Sequence, residues 1–139
     1  MLIKALHPDF IMPTKGTDRA GAIDLYMPVS GWTTAVSTRV GLGFAAAIPA
    51  GHVGLIVPRS GVGTKNGLEL NNTVGVIDAD YRGEWVSWIR TKNGQRFEWN
   101  KGDRILQAII VPVTSPTLKL VDELDDTSRG AGGFGSTGV

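Results

Sequence analysis

The chain predicts an all-β sandwich or barrel with at most one short helix, on three observations. Apolar or alternating stretches recur at short intervals, they are rich in β-branched and aromatic residues, and seven prolines and 19 glycines interrupt them. No window carries a convincing helical repeat.

The strand-like stretches follow in order: LIKAL at 2–6, AIDLYM at 22–27, HVGLIV at 52–57, EWVSWIR at 84–90 and RILQAIIVPV at 104–113. EWVSWIR is apolar on both faces of its alternation and AIIVPV is nearly continuous, so both want cover on two sides, from a sandwich core or a subunit interface. The helical candidate is a short turn at SGVGTKNG, 60–67. In TKNGQRF, Asn93-Gly94 lies between two strand-like runs and predicts a tight hairpin. The acidic run DELDD, 122–126, predicts a solvated connector, which separates a core over 1–128 from a glycine-rich tail over 129–139. At roughly 3.3 Å per extended residue, the tail reaches about 35 Å, enough to cross to a neighbouring subunit.

Composition narrows the function. At 139 residues with 42% hydrophobic content, the chain suits one domain with one core. Fourteen Lys plus Arg against 13 Asp plus Glu leave a formal charge of +1, so there is no broad basic field for nucleic acid, and any anion must meet local charges. Absence of cysteine excludes a disulfide scaffold and thiol-ligated metals and fits a cytoplasmic setting. Neither a membrane-spanning run nor a secretory leader is predicted.

Five places hold residues suited to chemistry. VPRSGVG, 57–63, offers a cation, a hydroxyl and glycine backbone N–H groups (Arg59, Ser60, Gly61), which together suit a phosphate oxygen; a solvated turn is the alternative. NNTVGVIDADYRGEW, 71–85, carries Asp78 and Asp80, which share one face if the segment is extended, with Asn72 and Tyr81 nearby. A carboxylate closing an apolar run suits a general base whose pKa partial burial holds closer to working pH; a β-turn is the alternative. Asp24, in an otherwise apolar strand, is either paired or near a metal, or faces water at a strand edge. Asp103, Arg104 and Gln107 place polar groups at the mouth of a strand, where an ion pair also accounts for Arg104. His7 and His52 show no ligand spacing. In the tail, Arg129 can grip a phosphate, Ser136 and Thr137 can donate to one, and Phe134 can stack on a base.

Five segments in order, GAIDLY, PRSGVGTKNGL, NNTVGVIDADYRGE, GDRILQAI and RGAGGFGSTG, resemble the five motifs of the homotrimeric dUTPases and cover nearly the whole chain. The resemblance implies a distorted jelly-roll-like β-sandwich, a homotrimer with an exchanged C-terminal arm, and hydrolysis of dUTP to dUMP and pyrophosphate with Mg²⁺. That reaction limits uracil incorporation into DNA and supplies dUMP for dTMP synthesis. It further implies Asp78 as the base that activates water, and Asp24 as the carboxylate that holds the metal through water. Asn72 and the backbone around Val76 and Ile77 would read the uracil edge, Tyr81 would lie against the deoxyribose, and Val86 would also bind substrate. Arg59, Ser60, Gly61 and Gln107 would face the phosphates. Arg129, Gly135, Ser136 and Thr137 in the tail would close over the γ-phosphate, with Phe134 over uracil. Ala22 and Leu106 depart from the residues usual at those motif positions. Two other functions compete: a dCTP deaminase-like enzyme, for which Glu84 is available, and a nucleotide-dependent regulatory binding protein. A purely structural jelly roll would have no use for the tail.

Overall fold

The computed structural model describes residues 1–134 and 136. Twelve strands and one helix follow in the order β1 (Leu2–Ala5), β2 (Thr14–Lys15), β3 (Ala22–Leu25), β4 (Gly31–Thr33), β5 (Thr38–Gly41), β6 (Phe44–Ala47), β7 (His52–Pro58), α1 (Ser60–Asn66), β8 (Leu68–Leu70), β9 (Gly75–Ile77), β10 (Val86–Thr91), β11 (Phe97–Trp99) and β12 (Leu106–Pro112). All pairings are antiparallel and no barrel closes: β2-β3-β12-β7-β9 form the main sheet, β5-β10-β8 a second, and β1-β6 and β11-β4 two ribbons. No helix among the described residues is long and apolar enough to cross a membrane.

Alternation along the strands builds one core between these sheets. Gly54 and Ile56 of β7 and Leu106 and Ala108 of β12 turn inward, against Ile89 of β10, Leu68 and Leu70 of β8, and Phe44. Trp85 lies in the middle, its ring 5.0 Å from that of Phe44. A Cβ at Gly54 would come within 2.8 Å of the Ile48 side chain and 3.3 Å of Trp85, so the glycine makes room for the layer above it.

The opposite face of the main sheet is apolar as well. Register places Leu55 beside Ile109 and Val76, and Val57 beside Gln107, with Val53 beside Val111. These side chains are half-buried in a single chain except Val76, which is 58% exposed. The two-sided cover that AIIVPV predicts therefore comes from the core on one side only. EWVSWIR differs: Ser87, Ile89 and Thr91 are buried, while Trp88 on the other face is 51% exposed.

Two expectations are corrected. Asn93-Gly94 does form a tight turn, with Gly94 at φ +72° and its N–H bonded to the Thr91 carbonyl at 3.2 Å. The flanking runs do not pair with each other: Thr91 pairs with Leu68, and Phe97–Trp99 pairs with β4, where the Trp99 ring occupies the space a side chain at Gly31 would need. Secondly, SGVGTKNG is a two-turn helix rather than a turn. Gly67 ends it in the left-handed conformation at φ +66°, and none of its residues is buried.

Beyond β12 the described chain forms no helix or strand, and DELDD is exposed as predicted. Leu118, Leu120 and Leu124 are also exposed. Ile56 is fully buried in the strand that joins β12 to β9. Ile56→Ala should cost about 2–5 kcal/mol, read as a lower denaturant midpoint; an unchanged midpoint would contradict this placement of the core.

Candidate active site

The register of the main sheet gathers three of the polar segments at one end. Asp24 of β3 is opposite Gln107 of β12, and Gln107 is opposite Val57 of β7, so the chain leaving β7 at Arg59 and Ser60 emerges beside both. Asp24 is buried, and each of its oxygens meets a guanidinium: Oδ1 lies 3.0 Å from Nε of Arg59, and Oδ2 lies 3.2 Å from Nη1 of Arg104. Asp24 is thus the paired carboxylate, and the water-facing strand-edge alternative is excluded, since β3 lies between β2 and β12. Arg59 is fixed further: its N–H donates to the Ile105 carbonyl at 3.0 Å and its Nη1 to the Arg104 carbonyl at 3.2 Å. The Gln107 side-chain amide donates to the Pro58 carbonyl at 3.2 Å.

Asp24, Arg59 and Gln107 line a cleft of about 450 Å³ with Ser60, Gly61, Lys65 and Asn66. Lys65 and Asn66 carried no assignment in the sequence. The signal was the four-residue spacing from Gly61 to Lys65, which α1 turns onto one face. First-turn N–H groups of a helix have no intrahelical acceptor, so Ser60 and Gly61 add donors to the cations. The cleft suits an anion with several oxygens.

Asp24 is the only carboxylate lining this cleft, and no group of three or more His, Asp or Glu comes together among the described residues. The described residues therefore offer no cage for a cation. A carboxylate has about four lone-pair sites, and two guanidinium contacts leave some of them free. That donor set fits Mg²⁺, which keeps most of its waters and takes one or two carboxylates plus phosphate oxygens.

The third motif forms a second cleft, of about 250 Å³, between Val76, Ile77, Asp78, Tyr81, Glu84 and Val86. The chain turns here rather than continuing extended, with the Tyr81 N–H bonded to the Asp78 carbonyl at 3.2 Å, so the β-turn alternative describes the backbone. Asp78 and Asp80 are both exposed, which corrects the expected partial burial of Asp78 within one chain. Arg82 bonds the carbonyls of Ala79 at 2.7 Å and Tyr81 at 3.0 Å and stiffens the loop. Asn72 is exposed and lies in an adjoining depression of about 220 Å³ with Gly75, Val86, Ser87 and Trp88. Ser87 Oγ is buried there without a hydrogen-bond partner.

The two clefts lie at opposite ends of β7. Ile77 is level with Gly54, whereas Arg59 is five residues further along, about 17 Å at the rise of an antiparallel strand. In the tail, Arg129, Phe134 and Ser136 are exposed, and none of them lines either cleft. Arg129 instead donates to the Gly132 carbonyl at 2.9 Å. Gly135 and Thr137 lie outside the described residues.

Comparison with known proteins bears directly on this arrangement. The family model described as dUTPase matches residues 9–138. The deoxyuridine 5'-triphosphate nucleotidohydrolase of Syntrophotalea carbinolica is 42% identical, over 98% of this chain and 95% of its own. That of Hahella chejuensis is 40% identical, over 100% and 94%. A dUTPase variant of Staphylococcus bacteriophage 80alpha, solved with dUpNHpp, superposes with a TM-score of 0.90 at 27% identity over 99% of this chain and 98% of that one. A phage phi11 dUTPase variant, whose structure describes coordination of a structural Mg(II) ion, gives 0.79 at 25% identity over 88% and 96%. These matches extend along nearly the whole chain, which belongs to the dUTPase family.

Proposed function

We propose that the chain hydrolyses dUTP to dUMP and pyrophosphate, in a site assembled from more than one copy of itself. The observation that carries this reading is the pair of half-sites. A cationic cleft and a cleft walled by Val76, Ile77, Asp78 and Tyr81 are both present, yet they are separated by most of the length of β7. A nucleotide cannot span that distance with its α-phosphate at Asp78. Two copies can bring the Arg59 end of one sheet to the Asp78 end of the next. The apolar outer face around Leu55, Ile109 and Val76 favours such an assembly, and a homotrimer in the cytoplasm accords with the family.

Within the composite site each residue has a defined task. The backbone around Val76 and Ile77, with Asn72 and Val86, holds the uracil edge, and the Tyr81 ring lies against the deoxyribose where a 2'-hydroxyl would collide. Unpaired polar groups oppose cytosine, and a close wall opposes the thymine methyl. Arg59, Ser60, Gly61 and Gln107 hold the phosphate chain. Asp24 would hold Mg²⁺ through water, and the ion when bound supplies charge neutralisation on the phosphate oxygens.

Asp78 accepts a proton from a water as that water's oxygen forms a bond to the α-phosphorus. The bond from that phosphorus to the bridging oxygen of the β-phosphate breaks, and its electron pair leaves with pyrophosphate. The tail of residues 129–139 closes from a neighbouring copy, with Arg129, Gly135, Ser136 and Thr137 on the γ-phosphate and Phe134 over the base. The exposure of Arg129, Phe134 and Ser136 away from both clefts supports a role that begins when nucleotide arrives.

Pyrophosphate release, measured with dUTP, dCTP, dTTP and UTP in the presence of Mg²⁺ and again with chelator, should appear with dUTP alone and vanish with chelator. Ammonia released from dCTP would instead select the deaminase. Asp78→Asn should lower turnover by roughly 10²–10⁴-fold while retaining nucleotide binding by calorimetry, and undiminished turnover would place the base elsewhere. Removing residues 129–139 should leave the oligomer's mass unchanged by light scattering and abolish most turnover. Full activity in that truncated chain would sink the lid.

A further inference from the structure

Glu84 is not needed as an acid or base in the reaction above, yet it is held more tightly than any other carboxylate of the third motif. Its Oε1 accepts the Gly43 N–H at 3.0 Å, and its Oε2 lies 3.9 Å from Arg39 Nη2. The carboxylate fills a slot that only glycine leaves open: a Cβ at Gly41 would stand 2.4 Å from Oε1. The neighbouring backbone is tied to the same segment, with the Trp85 N–H bonded to the Phe44 carbonyl and the Leu42 N–H to the Trp85 carbonyl, both at 2.9 Å. Residue 84 is therefore fastened to the turn between β5 and β6 through its side chain and through the residue after it.

What Glu84 holds in turn is Tyr81. The tyrosine hydroxyl donates to the Glu84 carbonyl at 3.1 Å, so the ring folds back over the turn instead of extending into solvent. It passes so close to Gly83 that a Cβ there would lie 2.3 Å from the hydroxyl oxygen and 2.5 Å from Cζ. The ring remains 44% exposed, and the cleft beside Asp78 is walled by both residues. A half-exposed aromatic ring needs such a tether to present one fixed face.

We infer that Glu84 is a positioning residue: by anchoring the 81–84 turn to the β5–β6 turn, it fixes the Tyr81 ring and thereby the enzyme's discrimination between deoxyribose and ribose. The inference rests on the reading that Tyr81 lies against the sugar. The exposed contact with Arg39 adds little, because solvent screens a pair of that length. The hydrogen bond to Gly43 is the part that matters, and glutamine can make it.

The test compares kcat/KM for dUTP with that for UTP in the full-length protein. Glu84→Ala should lower the ratio of the two by about tenfold, chiefly by admitting UTP, and Gly83→Ala should do the same by displacing the ring. Glu84→Gln should keep most of the parental ratio. Tyr81→Ala should collapse discrimination, and Glu84→Ala should add nothing further in that background. An unchanged ratio in folded Glu84→Ala, with Tyr81→Ala still relaxed, would overturn the inference and leave the sugar assignment standing. Unchanged discrimination in Tyr81→Ala would remove the assignment itself. Where Glu84→Ala does not fold, Gly83→Ala decides, because it leaves the carboxylate in place; an unchanged ratio there overturns the inference too.

Discussion

The site depends on the antiparallel register of four neighbouring strands, β3, β12, β7 and β9. Pairing Asp24 with Gln107, and Gln107 with Val57, fixes where the Arg59–Ser60 segment leaves the sheet. Pairing Ile77 with Gly54 fixes where Asp78 leaves it, at the other end. A slip of one residue in β3 or in β12 would turn Asp24 or Gln107 to the core face and expose Leu25 or Leu106, respectively, in its place. The hydrophobic alternation of β7 and β12 therefore does two jobs at once. It closes the core, and it holds the Arg59 and Asp78 clefts a strand's length apart.

Electrostatics at the phosphate end follow from the same pairing. A buried carboxylate is tolerated when it is matched and hydrogen-bonded, and Asp24 has a guanidinium on each oxygen. Two arginines against one aspartate leave one positive charge in excess, and Lys65 lines the same cleft. The chain as a whole carries only +1, so this local surplus, rather than a general field, is what a triphosphate would meet. Asp24 also holds Arg59 from behind, which sets the direction from which that guanidinium can address an oxygen.

Much of this was legible in the sequence because long strands carry their periodicity plainly. The stretches now forming β7, β10 and β12 stand out by alternation and β-branched content. The short strands were silent: Phe44–Ala47 is mostly alanine, and Gly31–Thr33 and Leu68–Leu70 are three residues each, too brief for a period to show. The hairpin at Asn93-Gly94 misled for a related reason. Turn chemistry is local, but the partners of the flanking strands are chosen by packing, and Trp99 over Gly31 outweighed proximity in the chain. Residue types nominated Asp24, Arg59, Asp78 and Tyr81, whereas Lys65 and the anchoring of Glu84 required the fold. The exposure of Asp78 was hidden too, because the chain turns directly after β9 instead of continuing the strand, and alternation along VGVID does not report that turn.

The central claim, that Arg59 and Asp78 of different copies serve one nucleotide, is tested most directly by mixing two inactive chains. Arg59→Ala and Asp78→Asn proteins, co-refolded in equal amounts, should regain dUTP hydrolysis in about a quarter of their sites, since each residue is intact with a probability of one half and the two are drawn from separate copies. Turnover that stays at the level of the two separate variants would mean that both residues must come from the same chain, and the composite site would be wrong.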